Sequence, residues 1–86
     1  MNAYDRYLMF HAGQAGGMYT AIFRAIGASE GDKDYQAILE DSYPEEVVAY
    51  KAWRQISHEE FIAKCSPDNP VAMAIKSGEF ELHEGD

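Results

Sequence analysis

The sequence contains one cysteine, only seven lysine and arginine residues, and no long apolar run. Because Cys65 has no second cysteine to pair with, an intramolecular disulfide is excluded and a reducing compartment is predicted. Residues 7–23 carry almost no charge, but their glycines and polar side chains make them too polar to cross a bilayer. The first residues also lack the basic start and apolar core of a secretory signal. We therefore expect a cytoplasmic protein without a membrane span.

Fifteen acidic residues outnumber the seven basic ones, so the formal net charge is −8. Such a chain repels phosphate backbones and anionic lipid surfaces, and direct binding to nucleic acid or to a membrane is disfavoured. An acidic surface suits a protein partner that is basic or that itself binds nucleic acid. Solubility alone is a second explanation of the charge.

The 86 residues are enough for one small domain. Asp32, Ser57 and Asn69 stand where helix N-caps are expected, and apolar residues follow each of them at helical spacing. The pattern predicts an all-α fold, a compact bundle of four to six short helices within a single domain at residues 1–78. An acidic extended tail is predicted at 79–86, where polar and apolar residues alternate. That tail can pack as an arm, pair across a dimer or remain disordered.

The predicted core consists of apolar residues that recur on the inner faces of these helices. The segment that follows Pro44 is the richest in aromatic residues and is expected near the centre of the core. The predicted core residues are Leu8, Ile22, Ile26, Ile38, Leu39, Val47, Tyr50, Trp53, Phe61 and Ile62.

None of the candidate catalytic motifs is complete. His58 begins a zinc-protease pattern, but Ile62 occupies the position of the second histidine ligand. His11 has no second titratable residue on its helical face, and Cys65 lies on an apolar face as a structural thiol does. The glycines at 13–17 lack the lysine and hydroxyl residue of a phosphate-binding loop. We expect no metal, no cofactor and no enzymatic activity.

Four acids on either side of Pro44 form a candidate partner-binding group: Glu40, Asp41, Glu45 and Glu46. A row of carboxylates can occupy a basic groove in the way that nucleic acid does. The simpler interpretation is a solvated surface with acids at a helix N-terminus, where the helix dipole favours them.

The first two predicted helices are apolar around nearly their whole circumference. A domain of this size cannot easily bury every side of two helices, and an uncovered apolar patch usually marks an interface. Tyr7, Phe10, Tyr19 and Phe23 are therefore predicted to bind a partner or a second copy of the chain, which makes a homodimer a further expectation. The alternative is that later helices cover them.

Two segments, MYTAIFRAI at 18–26 and YPEEVVAYKAW at 43–53, resemble the layout of small uncharacterised helical accessory proteins of phages, prophages and plasmids. The resemblance implies an accessory or anti-defence role and transfers no functional residue. Three functions follow from the sequence. The first is a non-catalytic interaction protein that binds a host protein, the second is an inhibitor that mimics nucleic acid, and the third is a structural homo-oligomeric subunit.

Overall fold

The computed structural model describes residues 1–81, which form six α-helices and no strand. The helices are α1 (Ala3–His11), α2 (Gly17–Ala28), α3 (Lys33–Ser42), α4 (Pro44–Gln55), α5 (His58–Ala63) and α6 (Pro70–Lys76). The predicted all-α fold class with four to six short helices is confirmed. Of the predicted tail, residues 79–81 are not helical and 82–86 lie outside the described residues.

The predicted N-caps are present at three helices. The side chain of Asp32 accepts the backbone N–H of Tyr35, and the hydroxyl of Ser57 accepts that of Glu60. Asn69 accepts two backbone N–H groups at the start of α6. Each cap satisfies a donor that has no partner inside the helix, which typically stabilises a helix by about 1 kcal/mol.

The links between helices follow from proline and glycine chemistry. Pro44 begins α4 immediately after Tyr43, where its missing N–H and fixed φ suit the first helical turn. Gly31, between α2 and α3, has φ +86°, and Gly78, after α6, has φ +82°. Only glycine adopts these left-handed values without strain, so the chain turns sharply at both points.

Helices α1 and α4 lie at the centre of the packing. Helix α1 contacts α2, α4, α5 and α6, whereas α4 contacts α1, α2, α3 and α5. Helix α3 packs chiefly against α4 and α6 chiefly against α1, so both lie at the periphery of the bundle.

Nine of the ten predicted core residues are buried. They are Leu8, Ile22, Ile26, Leu39, Val47, Tyr50, Trp53, Phe61 and Ile62. The ring of Tyr7 lies among the aromatic rings of this core, 5.0 Å from that of Phe23 and 5.6 Å from that of Trp53.

The prediction for Ile38 is wrong, since this side chain is 62% exposed. Neighbouring residues of a helix point about 100° apart, so a helix with one principal neighbour buries one of them and exposes the other. Leu39 faces α4 and is 6% exposed. Sequence spacing alone does not reveal that α3 has a single packing face.

This asymmetry gives a matched pair of substitutions. We expect Leu39→Ala to lower the free energy of unfolding by about 2–3 kcal/mol, near the lower end of the range for a buried leucine, because it borders an open groove. Ile38→Ala is expected to change it by less than about 0.5 kcal/mol. Urea denaturation followed by circular dichroism measures both. Equal losses for the two variants would contradict the packing of α3.

Candidate functional site

Two of the four apolar residues predicted to bind a partner belong to the core instead. Tyr7 is 3% exposed and Phe23 is 1% exposed. Rings from α4 and α5 cover α1, as the contacts of Tyr7 with Tyr50 and Phe61 show. Neither Tyr7 nor Phe23 can therefore offer its ring to a partner while the fold is intact.

The other two residues of that group, Phe10 and Tyr19, are half-buried. Phe10 packs on Phe23 at 5.4 Å, and the guanidinium of Arg6 lies 4.7 Å from the ring centre of Tyr19. Met18, which is 65% exposed, is the large apolar side chain of α2 that remains open. The apolar surface on the first two helices is thus much smaller than the sequence predicts.

The four predicted acids have different environments. Glu46 is 9% exposed and pairs with Arg6 at 3.2 Å, so it binds α4 to α1 rather than facing outward. Glu40 pairs with Lys51 at 3.1 Å, and both side chains are more than half exposed. An exposed pair of this kind contributes little to stability.

Asp41 and Glu45 are exposed, and neither forms an ion pair with another residue of the described chain. Asp41 lies near the C-terminal end of α3, and this last turn carries no basic residue. The helix dipole disfavours negative charge at that end, typically by about 0.3–1 kcal/mol. Asp41 therefore does not stabilise its own helix.

Exposed apolar side chains accompany these acids. Ile38 is 62% exposed, Val48 is 54% exposed, and Tyr35 and Tyr43 are each 38% exposed. We call this set the α3–α4 surface, which comprises Tyr35, Ile38, Asp41, Tyr43, Glu45 and Val48. Sequence analysis singled out its two acids, Asp41 and Glu45, but placed Ile38 in the core and did not single out Tyr35, Tyr43 or Val48.

A second feature that sequence analysis missed is a stack of three rings. The indole of Trp53 lies between two imidazoles, 4.3 Å from the ring centre of His11 and 4.4 Å from that of His58. The interplanar angles are 28° and 20°, so all three rings are nearly parallel. The two histidines come from α1 and α5, and no local motif joins them.

This stack borders an open groove of about 600 Å³. We call it the Arg–His groove, and the polar and aromatic residues that define it are His11, Arg24, Tyr50, Trp53, Arg54 and His58. The guanidinium of Arg54 lies 4.5 Å from the ring centre of Tyr50 and pairs with Glu30. Arg24 is exposed and forms no ion pair within residues 1–81.

A hydrogen bond and an ion pair hold Tyr50 and Arg54 to Glu30 at one wall of this groove. The hydroxyl of Tyr50 donates to Glu30 Oε1 at 2.9 Å. This hydrogen bond, together with that from Arg54, lowers the pKa of Glu30 below its ordinary value. Burial, and then the bond to Glu30, raise the pKa of Tyr50. Glu30 is thus a carboxylate and Tyr50 a neutral phenol at neutral pH.

The surroundings of Cys65 make its thiol unreactive. Burial, reinforced by the charge of Asp5, raises the pKa of the Cys65 thiol to about 12. The thiol contacts the carbonyl of Phe61 at 3.6 Å. A thiol held in its neutral form is a poor nucleophile and a poor metal ligand.

Asp5 is the centre of a buried polar network that sequence analysis also missed. Its carboxylate accepts the backbone N–H and hydroxyl of Ser66 at 2.8 and 2.7 Å, and the amide of Asn69 at 2.8 Å. It also accepts the backbone N–H of Asn2 at 3.0 Å, which completes a capping box at α1. The network joins the start of α1 to the loop between α5 and α6, and its role is structural.

Within residues 1–81, no three histidine, cysteine, aspartate or glutamate side chains are grouped as a metal site would need. None of the helices there has the length and apolar character of a membrane span. Comparison of the chain with protein-family models, with curated proteins and with solved structures gave no match.

Proposed function

We propose that this chain is a non-catalytic interaction protein whose α3–α4 surface binds a basic, amphipathic segment of another protein. The observation that carries the proposal is the combination of open apolar side chains with carboxylates that form no ion pair within residues 1–81. Ile38 and Val48 are more than half exposed, and Asp41 and Glu45 are exposed beside them in sequence.

Burial of the apolar side chains of the α3–α4 surface supplies favourable free energy for binding. Apolar side chains gain about 25 cal/mol for each Å² that a partner removes from water. Tyrosine, which occurs here as Tyr35 and Tyr43, is enriched at the centres of protein interfaces. The peripheral position of α3, which packs chiefly on α4, leaves these side chains accessible.

The acidic residues of the α3–α4 surface determine which kind of partner it binds. The net charge of −8 attracts basic segments over a distance of about 10 Å at moderate salt. Asp41 has no stabilising role in its own helix, so a basic partner that neutralises it also removes an unfavourable interaction with the helix dipole. Charge therefore governs the rate and selectivity of association, whereas apolar contact supplies the affinity.

Mimicry of nucleic acid is less well supported by this arrangement. Glu46 is turned inward to Arg6, and Glu40 is paired with Lys51. Asp41 and Glu45 each lie three residues from an exposed apolar side chain of the same helix, Ile38 and Val48, and a phosphate backbone offers no such apolar group. The role as an accessory factor of a phage or another mobile element stays a prediction. Self-association through the first two helices also stays a prediction, and light scattering at micromolar concentration is the measurement that tests it.

A titration with a helical peptide of lysine and leucine tests the proposed function. We expect it to shift the backbone amide resonances of α3 and the first turns of α4. The double variant Ile38→Ser, Val48→Ser should bind the peptide at least about tenfold more weakly, a difference of about 1.4 kcal/mol. Met73→Ser is the matched control, because Met73 is 55% exposed on α6, and it should bind as the unaltered chain does.

A peptide of equal charge made of lysine and serine separates apolar binding from attraction by charge alone. The proposal requires that this peptide bind much more weakly. If both peptides bind alike, and if both lose affinity steeply with salt, then nucleic-acid mimicry is the better account. If the double variant binds as well as Met73→Ser, the α3–α4 surface is not the site.

A further inference from the structure

The Arg–His groove opposes the charge of the rest of the molecule. The chain has fifteen acids against seven lysines and arginines and three histidines. Four of these basic side chains line this one groove: His11, Arg24, Arg54 and His58. Among the described residues that line it, none is an aspartate or a glutamate. Because Arg54 is paired with Glu30, the charge that can attract an anion to this groove is that of Arg24, which has no ion pair within residues 1–81.

The groove also has the size of a small-molecule site. Its volume of about 600 Å³ lies within the range of about 300–1,000 Å³ that such sites occupy. The half-buried rings of Phe10 and His58 border the groove and supply surfaces against which a flat ring can pack. We propose that the Arg–His groove binds a planar ring that carries an anionic group, a phosphate monoester or a carboxylate.

Arg24 is the group that pairs with the anion. Arg54 is already bound to Glu30 and stacked on Tyr50, so its charge is largely neutralised. Arg24 is exposed in the middle of α2 and has no ion pair within the described part of the chain. A guanidinium can bind phosphate or carboxylate through two parallel hydrogen bonds.

The walls are held in place by contacts within the chain. The hydrogen bonds of Glu30 fix Tyr50 and Arg54 on one side, and the stacking of His58 on Trp53 fixes the other. Gly27 also lines the groove, and a Cβ there would be in van der Waals contact with the Tyr50 hydroxyl at 3.4 Å. A preformed site loses little conformational entropy when a ligand binds.

Trp53 is the one tryptophan of the chain, so its fluorescence reports on this groove. We expect adenosine monophosphate, used as the phosphate probe, to change the fluorescence saturably, and naphthoate to serve as the carboxylate probe. The probe that binds more tightly shows whether the natural ligand carries a phosphate or a carboxylate. Adenosine, which lacks the anion, and inorganic phosphate, which lacks the ring, should each bind at least about tenfold more weakly than the tighter anion, since a charged hydrogen bond is worth about 1.5–3 kcal/mol.

Arg24→Gln should weaken binding of that anion by about tenfold or more while leaving the circular dichroism spectrum unchanged. Lys33→Gln, an exposed charge removed from α3, is the matched control and should bind normally. The proposal is overturned if neither anion gives a saturable change at millimolar concentration. It is overturned equally if Arg24→Gln binds like Lys33→Gln, or if adenosine or phosphate alone binds as tightly as the tighter anion. These outcomes are independent of binding at the α3–α4 surface.

Discussion

Asp5→Asn is expected to lower the free energy of unfolding by about 3–5 kcal/mol, because several hydrogen-bond donors converge on this carboxylate. An amide of the same shape has one acceptor oxygen, and its NH₂ group would face donors from Asn2, Ser66 or Asn69. Each buried donor left without a partner costs about 1–3 kcal/mol. For an 86-residue domain, whose total stability is about 4–13 kcal/mol, this is a large share.

Urea denaturation followed by circular dichroism measures the effect. Asp34→Asn is the matched control, since Asp34 is exposed in the first turn of α3, and its effect should stay below about 1 kcal/mol. A loss for Asp5→Asn no larger than that for Asp34→Asn would show that the network does not join α1 to the loop before α6.

The same carboxylate makes stability depend on pH. Burial alone would raise the pKa of Asp5, but hydrogen bonds from Ser66, Asn69 and Asn2 together lower it below its ordinary value. A group whose pKa is lower in the folded state stabilises the fold fully above its unfolded pKa, which is about 4. That contribution is lost as pH falls through the folded pKa. We therefore expect the stability of the unaltered chain to fall below about pH 4, and the difference from Asp5→Asn to shrink there.

Trp53→Ala is expected to cost about 3–5 kcal/mol, the range for a large aromatic side chain removed from a core. Trp53 is 9% exposed and stacks between His11 and His58, and its ring also meets that of Phe61 edge to face at 5.0 Å. The substitution would leave a cavity where α1, α4 and α5 meet.

Circular dichroism is the suitable probe for this variant, because its fluorescence is lost with the indole. Val48→Ala, an exposed position on the same helix, should change stability by less than about 0.5 kcal/mol. If Trp53→Ala loses less than about 1.5 kcal/mol, then the ring stack is not part of the stabilising core.

The residues predicted to bind a partner show which features of the surface could be inferred from sequence and which could not. Asp41 and Glu45 were singled out from sequence because acids gathered around a proline are visible along the chain, and both are exposed in the structure. Tyr7 and Phe23 were misplaced because an apolar helix face looks the same whether a partner or the chain itself covers it. Rings contributed by α4 and α5 make that difference.

The sequence by itself determined where helices α3 to α6 begin. Asp32, Ser57 and Asn69 cap helices through hydrogen bonds to residues two or three positions away, and Pro44 acts on its own turn. Such interactions depend on neighbours along the chain, so a linear pattern is enough to predict them.

Only the tertiary structure decided which faces are buried and which polar residues meet. Asp5 binds Ser66 across 61 positions of sequence, and His11 reaches His58 only through Trp53 on a third helix. Ile38 and Leu39 have nearly the same side-chain chemistry and adjacent positions, yet α4 covers one and leaves the other exposed. These outcomes depend on how helices pack in space, because burial and long-range hydrogen bonds require surfaces that no single helix contains.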